Sequence, residues 1–506
     1  MSAAPSEQVR SIELAKGALI IFSGNALGRT LAFLYHFLLA RLLGASAYGI
    51  FLLGLSIVAL AAGVADGGLR WGVLRWASMA WGRGDRAELK GTILAGTGLG
   101  LCASILAGSV VGLGGWAWAG SWFRQPDLGW LLPWLALSIP ATVLTMLVTS
   151  GLQAMRQFTA VTLLLHGMDP AVRLLTFGTL SLAGWHLGGA VGSHLLAGLV
   201  TTAGAFYWLR WRSPALPPEV LPRYAVGPLL VFSLPLLLSN LAGFVLQWAD
   251  TVIIGAYLGV REVGVYGVAI RLAALPGMFL SAVSAVFAPQ IYALFAEGNL
   301  AEVERLYRQS TRWLIVLGFP VFLFAVLNAR QLLALFGREF TEGRWALVLL
   351  AAATLVVCGT GAAGDVVLMV GRSRPILWAS LLVGAVAIAL NLWLVPRYGI
   401  VGAALGTGAA LVLGNLINVF QGWWLAGLHP YHLSMLRPVV VALAVAAFQW
   451  GVVAFLDGPE LLMIGVAALT WLLLYPVTLV YLGLEADDQA LWYRMVSRLR
   501  VRAARP

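Results

Sequence analysis

The sequence predicts an all-α polytopic membrane protein with about fourteen transmembrane helices. Two six-helix lobes, related by a pseudo-twofold along the membrane normal, are followed by two C-terminal helices. Three observations predict this. First, 60% of the 506 residues are hydrophobic and 10% charged, whereas soluble domains carry roughly 25% charged residues. Second, apolar runs recur, each long enough to cross about 30 Å of hydrocarbon as a helix, without the alternation of barrel strands. Third, the chain repeats itself. Leu43–Phe51 and Leu258–Tyr266 both fit L-G-x4-G-[IV]-[FY]; Gly44 and Gly259 are offset by 215, as are Asn25 and Asn240.

Apolar runs bounded by charge, Gly or Pro place the spans near 17–42, 47–66, 91–113, 128–150, 158–183, 187–209, 227–257, 263–286, 312–334, 345–370, 376–396, 400–424, 436–456 and 460–483. Arg10 and Lys16 precede a first run too long for a signal-peptide core, so it is expected to remain as a span. Between spans two and three, Trp71, Trp76 and Trp81 alternate with Arg70, Arg75, Arg83 and Arg86. That pattern suits an interfacial amphipathic helix on an anionic leaflet. Pro214, Pro217, Pro218 and Pro222, with Arg210, Arg212 and Arg223, mark a linker. Leu187–Gly192 and Val401–Gly406 open spans six and twelve at an offset of 214. An even number of spans per copy makes the repeat parallel. The expected layout is an N-lobe over 1–209, a cytoplasmic linker over 210–226 and a C-lobe over 227–424. Spans thirteen and fourteen lie in 425–484, and 485–506 form a basic cytoplasmic tail.

The net charge of +11 would suggest nucleic acid in a soluble chain; here it reads as the positive-inside rule, with no nucleic-acid partner. With both ends inside, 22 of the 32 Lys and Arg fall on the inner side, seven outside and three (Arg29, Arg173 and Arg271) within spans. Cys102 and Cys358 lie in apolar runs far apart and read as small core residues.

A charged group within a span normally faces a cavity or a partner. Asn25, Arg29 and His36 share one face of span one, and Asn240, Gln247 and Asp250 one face of span seven. Span eight returns through Arg271, so polar stripes on the first helix of each copy would line a cleft between halves. Arg29 and Arg271 suit an anion because guanidinium stays charged and donates a directed fork to phosphate. Asp250 and Arg271 lie at similar depths and equally suit an ion pair, leaving Asp250 open as an ion-coupling or paired residue. Asp169 and Arg173, four apart beside Pro170, read as an intrahelical pair or, through Arg173, as a cavity contribution. The sequence carries no H-E-x-x-H, G-x-S-x-G or G-x4-G-K-[ST] motif, so no enzyme, metal or cofactor is expected.

The A-R-L-L-G-x3-Y-G-I-F hinge (Ala40–Phe51) and the V-P-R-Y-G-I-V-G-A-A turn (Val395–Ala404), with the repeat and span count, resemble the polysaccharide-flippase branch of the multidrug/oligosaccharidyl-lipid/polysaccharide exporter (MOP) superfamily. The resemblance implies a bacterial inner-membrane protein moving undecaprenyl-pyrophosphate-linked sugars between leaflets, beside a polysaccharide polymerase or chain-length machinery. Related lipid II flippases bind pyrophosphate with arginines of the first and eighth helices, which Arg29 and Arg271 match by helix. Their two extra C-terminal helices can form a groove for the lipid tail. Span two here lacks a mid-membrane arginine, favouring an O-antigen, capsule or exopolysaccharide unit over lipid II. The rivals are a cation-coupled drug exporter and, from another class, a membrane polymerase or ligase.

Overall fold

The structure, a computed structural model, describes residues 7–213, 219–369, 373–454 and 460–483. Linker residues Pro214, Pro217 and Pro218 and the tail 485–506 lie outside the described residues. In chain order the α-helices are α1 (Glu7–Asp66), α2 (Leu69–Arg83), α3 (Arg86–Ser121), α4 (Pro126–Ala136), α5 (Ser138–Ala154), α6 (Phe158–Thr162), α7 (Asp169–Leu182), α8 (Leu187–Tyr207) and α9 (Val226–Tyr257). There follow α10 (Val260–Ala273), α11 (Gly277–Ala296), α12 (Leu300–Leu327), α13 (Ala329–Ala334), α14 (Arg344–Gly359), α15 (Ala363–Met369), α16 (Ser373–Ala426), α17 (Leu436–Ala454) and α18 (Glu460–Thr478). Among the described residues there are no strands.

Among the described residues nine helices are long and apolar enough to cross a membrane, or ten when α4 and α5, bent by 40°, count as one span. Two of the nine are broken at a hinge glycine. Gly44 interrupts α1 at φ 73° and Gly399 interrupts α16 at φ 61°. Gly259, between α9 and α10, takes φ 109°. A side chain in that left-handed region costs roughly 1–2 kcal/mol. The glycines of both L-G-x4-G motifs and of the R-Y-G-I turn therefore mark the places where an apolar run reverses.

By packing, the chain forms two compact units. The first joins Met1–Val268 with Arg374–Ala410. Its core includes Tyr35, Leu39, Tyr48, Phe51, Leu131, Leu147, Phe177 and Tyr266, all fully buried. Helix α2 buries Leu69, Gly72, Val73, Ala77 and Ala80, spaced for one face, and exposes Trp71 and Trp81. Asp85 caps α3 by accepting from the Glu88 amide at 2.9 Å. The end of the linker is clamped onto that cap. Arg223 reaches Asp85 and Glu88, its amide donates to the Ala87 carbonyl at 2.9 Å, and Lys90 donates to the Val220 carbonyl at 2.8 Å. The Glu88 amide and Arg223 together hold the Asp85 carboxyl below its usual range.

The second unit joins Ala269–Ser373 with Leu411–Pro506. In it Val316 of α12 packs with Val441 and Val445 of α17 and with Trp471 and Tyr475 of α18. Gln449 ties these helices by donating to Asn328 at 3.1 Å and accepting from Trp471 at 2.6 Å. Buried amides stay in apolar surroundings only when bonded in this way. Cys358 is buried with Sγ 3.6 Å from the Pro276 carbonyl oxygen, as a small core residue should be. Cys102, expected inside, is exposed on α3. A membrane helix presents apolar residues on its outer face too, so hydropathy alone does not distinguish inward from outward.

Candidate functional site

The most constrained polar group in the first unit is Asp250 of α9, which is 2% exposed. One carboxylate oxygen accepts from the Thr251 amide at 2.6 Å and the Thr251 hydroxyl at 3.2 Å. The other accepts from Tyr266 Oη at 2.7 Å and Thr407 Oγ1 at 3.1 Å. Thr407 in turn accepts from Asn391 Nδ2 at 3.3 Å, and that amide also donates to the Ala387 carbonyl at 2.8 Å. Asn391 Oδ1 is buried with no donor among the described residues. Three segments converge here: α9, the α10 hinge helix and both arms of α16. The result is one carboxylate, one spare amide oxygen and hydroxyl oxygens in a buried setting. Hard cations take oxygen ligands, and a single negative charge matches a proton or a monovalent ion. Among the described residues no group of three or more His, Cys, Asp or Glu could hold a metal ion.

The first copy of the repeat holds the counterpart. Tyr35 and Asp250 are offset by 215, as are Phe51 and Tyr266; Ser193 and Thr407 are offset by 214, as are Phe177 and Asn391. Tyr35 Oη lies 3.0 Å from Ser193 Oγ, and its ring meets Phe177 edge-on at 6.0 Å. The same four places thus carry only uncharged side chains in one copy and a carboxylate with its donors in the other.

The copies also touch where the hinges cross. A Cβ on Gly49 would run into the Val260 carbonyl oxygen, and one on Gly264 into the Ala45 carbonyl oxygen. Both Gly49 with Gly264 and Ala45 with Val260 differ by 215, so the contact is reciprocal.

The remaining sequence-predicted residues fall as follows. Asn25 Oδ1 is buried without a donor among the described residues, and Arg29, one turn on, is exposed. Gly28 abuts the His166 backbone, and Arg29 acts on that histidine electrostatically. His166 lies in a π-helical turn, Leu163–Met168, directly before Pro170. Proline cannot donate to the carbonyl one turn back, and the helix widens there. His36 Nδ1 is 3.3 Å from Tyr48 Oη. Asp169 and Arg173 form the i,i+4 pair at 2.8 Å, and Arg173 also lies 2.7 Å from His194 Nδ1. Asn240 donates to Asp66 at 3.0 Å and accepts from Trp71 at 3.1 Å, while Gln247 is exposed. Arg271, half-buried near the end of α10, falls in the second unit. Tyr266, Thr407 and Asn391 escaped the sequence reading. The signal for them was the 214–215 offset from Phe51, Ser193 and Phe177.

Comparison with known proteins bears on this arrangement. The profile of the polysaccharide biosynthesis protein family matches residues 14–295, and that of the MatE family matches 235–373. The probable low-salt glycan biosynthesis flippase Agl15 of Haloferax volcanii is 26% identical over 236 residues, 45% of either chain. The capsular polysaccharide biosynthesis protein CapF of Staphylococcus aureus is 24% identical over 178 residues, 35% of this chain and 45% of its own. These matches span less than half the length of the curated relatives. In fold, the chain is similar to the lipid II flippase MurJ in an inward closed conformation. The TM-score is 0.73 at 16% identity, over 94% of this chain and 99% of that one. An inward-facing MATE family transporter of the MOP superfamily gives 0.60 at 19% identity, over 81% and 98%.

Proposed function

This chain belongs to the polysaccharide biosynthesis protein family, and we propose that it is a flippase for lipid-linked oligosaccharide. The cargo is an undecaprenyl-pyrophosphate-linked unit for O-antigen, capsule or exopolysaccharide synthesis, passed to a polysaccharide polymerase or chain-length machinery. Transport runs by alternating access of two six-helix lobes, 1–209 and 227–424, in a bacterial inner membrane with both termini cytoplasmic. The glycine breaks at Gly44 and Gly399, which divide two over-long helices, support the fourteen-span count.

The observation that carries this reading is Arg29, a fixed cation exposed in the middle of an apolar helix. Such a charge is retained only where it has work to do, and guanidinium forks suit phosphate. Arg29 and Arg271 receive the pyrophosphate, with Asn25, His36, Arg173, Asn240 and Gln247 as polar lining. Asp250, held in its cage with a spare Asn391 oxygen, takes the coupling proton or monovalent cation. Spans thirteen and fourteen offer a groove for the lipid tail.

The test is the leaflet location of lipid-linked sugar in cells depleted of the protein, read with an outside-only glycan probe. Cytoplasmic-face accumulation of single units is expected. Accumulation on the outer face would point to a polymerase or ligase, and no accumulation to drug efflux. An Arg29→Glu variant should insert normally and export nothing; an active variant removes the pyrophosphate role.

A further inference from the structure

In the second unit one apolar run is broken near its end. Helix α14 stops at Gly359, Thr360–Ala362 leave the helix, and α15 resumes at Ala363. Gly361 takes φ 66°, and a Cβ there would run into Thr311 of α12, so the break needs glycine. The break is anchored on both sides. The Thr360 carbonyl accepts from Tyr307 Oη at 3.0 Å, and the Thr360 hydroxyl donates to Asn415 Oδ1 of α16 at 3.3 Å. Discontinuous helices of this kind carry the substrate sites of many transporters.

One face of α15 is taken up by packing: Ala363, Val366 and Met369 share a core with Ile291, Tyr307 and Leu428. Asp365 lies off that face and is half-buried. It accepts from the Ser284 hydroxyl of α11 and stands close enough to Tyr292 to act on its phenol. Tyr292 is 39% exposed. From α16 the half-buried Asn418 brings Nδ2 to within 3.9 Å of where a Cβ of Gly364 would stand. Three helices thus place a carboxylate, a carboxamide and a phenol beside the break. A carboxylate within an apolar run is kept for a pathway or a partner. Asp365 can only accept, whereas Asn418 and Tyr292 both donate and accept. Sugar hydroxyls match that set, because each hydroxyl gives one hydrogen and takes others. An apolar drug would leave these groups unpaired, and a bare cation takes a shell of oxygens rather than an amide nitrogen.

We infer that Asp365, Asn418 and Tyr292 form a glycan subsite that takes the ring hydroxyls of a sugar in the lipid-linked cargo. The inference rests on the flippase reading proposed above and gives it a source of selectivity. Arginines that hold pyrophosphate cannot tell one cargo from another, since every diphosphate-linked unit carries the same group. Asp365 and Asn418 can: a sugar lacking the hydroxyls they bind leaves polar groups unpaired, and that is what makes such sites selective. Tyr292 adds a partly exposed ring with an apolar body and a polar tip.

Binding to the full-length protein in nanodiscs tests the subsite with two probes. One is undecaprenyl pyrophosphate alone; the other is the sugar-bearing lipid extracted from cells depleted of the protein. Wild type should hold the sugar-bearing lipid more tightly. Asp365→Asn keeps the shape and removes the charge, while Asn418→Leu keeps the volume and removes the amide. Each should weaken the sugar-bearing lipid roughly tenfold and leave bare undecaprenyl pyrophosphate at its wild-type affinity. Wild-type binding of the sugar-bearing lipid by both variants overturns the inference, and so does an equal loss of both lipids. If wild type binds the two lipids alike, the subsite falls and the pyrophosphate reading stands; if it binds neither, that reading falls as well.

Discussion

Tyr35 and Asp250 hold equivalent places in the two copies of the repeat, yet one is a neutral aromatic and the other a carboxylate. Around Tyr35 stand Ser193 and Phe177; around Asp250 stand Thr407 and Tyr266, with Asn391 behind Thr407. Burying a hydroxyl with one partner is cheap, whereas burying an ionised carboxylate is tolerated only with several hydrogen bonds. Asp250 accepts four. The first copy packs with a neutral side chain at that place. The second copy's buried carboxylate, matched by its own set of donors, marks a candidate functional position.

The comparison breaks first at Asp250. An Asp250→Asn variant keeps the shape and one of the two acceptor oxygens, so it should reach the membrane and lose gradient-driven flipping. Wild-type flipping in proteoliposomes under an imposed proton or sodium gradient would remove the coupling role. Next come the hinge glycines. Gly49→Val and Gly264→Val should each destabilise by about 1–3 kcal/mol through overpacking. The two losses should match in thermal melting, and the double variant should lose less than their sum. Unequal losses would mean that the crossing is not reciprocal in energy.

Smaller effects separate the hydroxyls. Tyr266→Phe removes a donor to a charge and should destabilise by about 1.5–3 kcal/mol, with altered ion dependence. Tyr35→Phe removes a neutral bond worth roughly 0.6 kcal/mol in a membrane setting and should leave transport unchanged. The smallest effect concerns the linker clamp, which has no counterpart in the comparison. The Asp85 carboxyl is held below its usual range by the Glu88 amide and by Arg223. A lowered folded value means the clamp is fully present above the ordinary carboxylate range and weakens as pH falls through the lowered one. Amide protection over residues 219–225, measured against intrinsic exchange rates, should accordingly stay level from neutral pH to mild acid and fall only in strong acid.

Much of this was legible in the chain. Asp250 and Asn240 stood out because polar residues are rare in apolar runs, and the hinge glycines because they recur at a fixed spacing. Asp169 and Arg173 could be paired from their separation of four. The partners of Asp250 were not legible. Thr407 lies 157 residues away and Tyr266 sixteen, and a lone Thr or Tyr barely lowers the hydropathy of its span. Asn240 bonds Asp66 across 174 residues, a pairing that only the packing of α1 against α9 creates.

The crossing of the hinges has one more consequence. A contact in which Gly49 meets Val260 while Gly264 meets Ala45 has the form of an isologous interface, where one patch meets its own copy. A chain of half this length bearing a single L-G-x4-G hinge would possess that patch already and could homodimerise through it with no added residue. Joined end to end, two such subunits become free to diverge, and a carboxylate can then arise in one while its twin keeps a tyrosine.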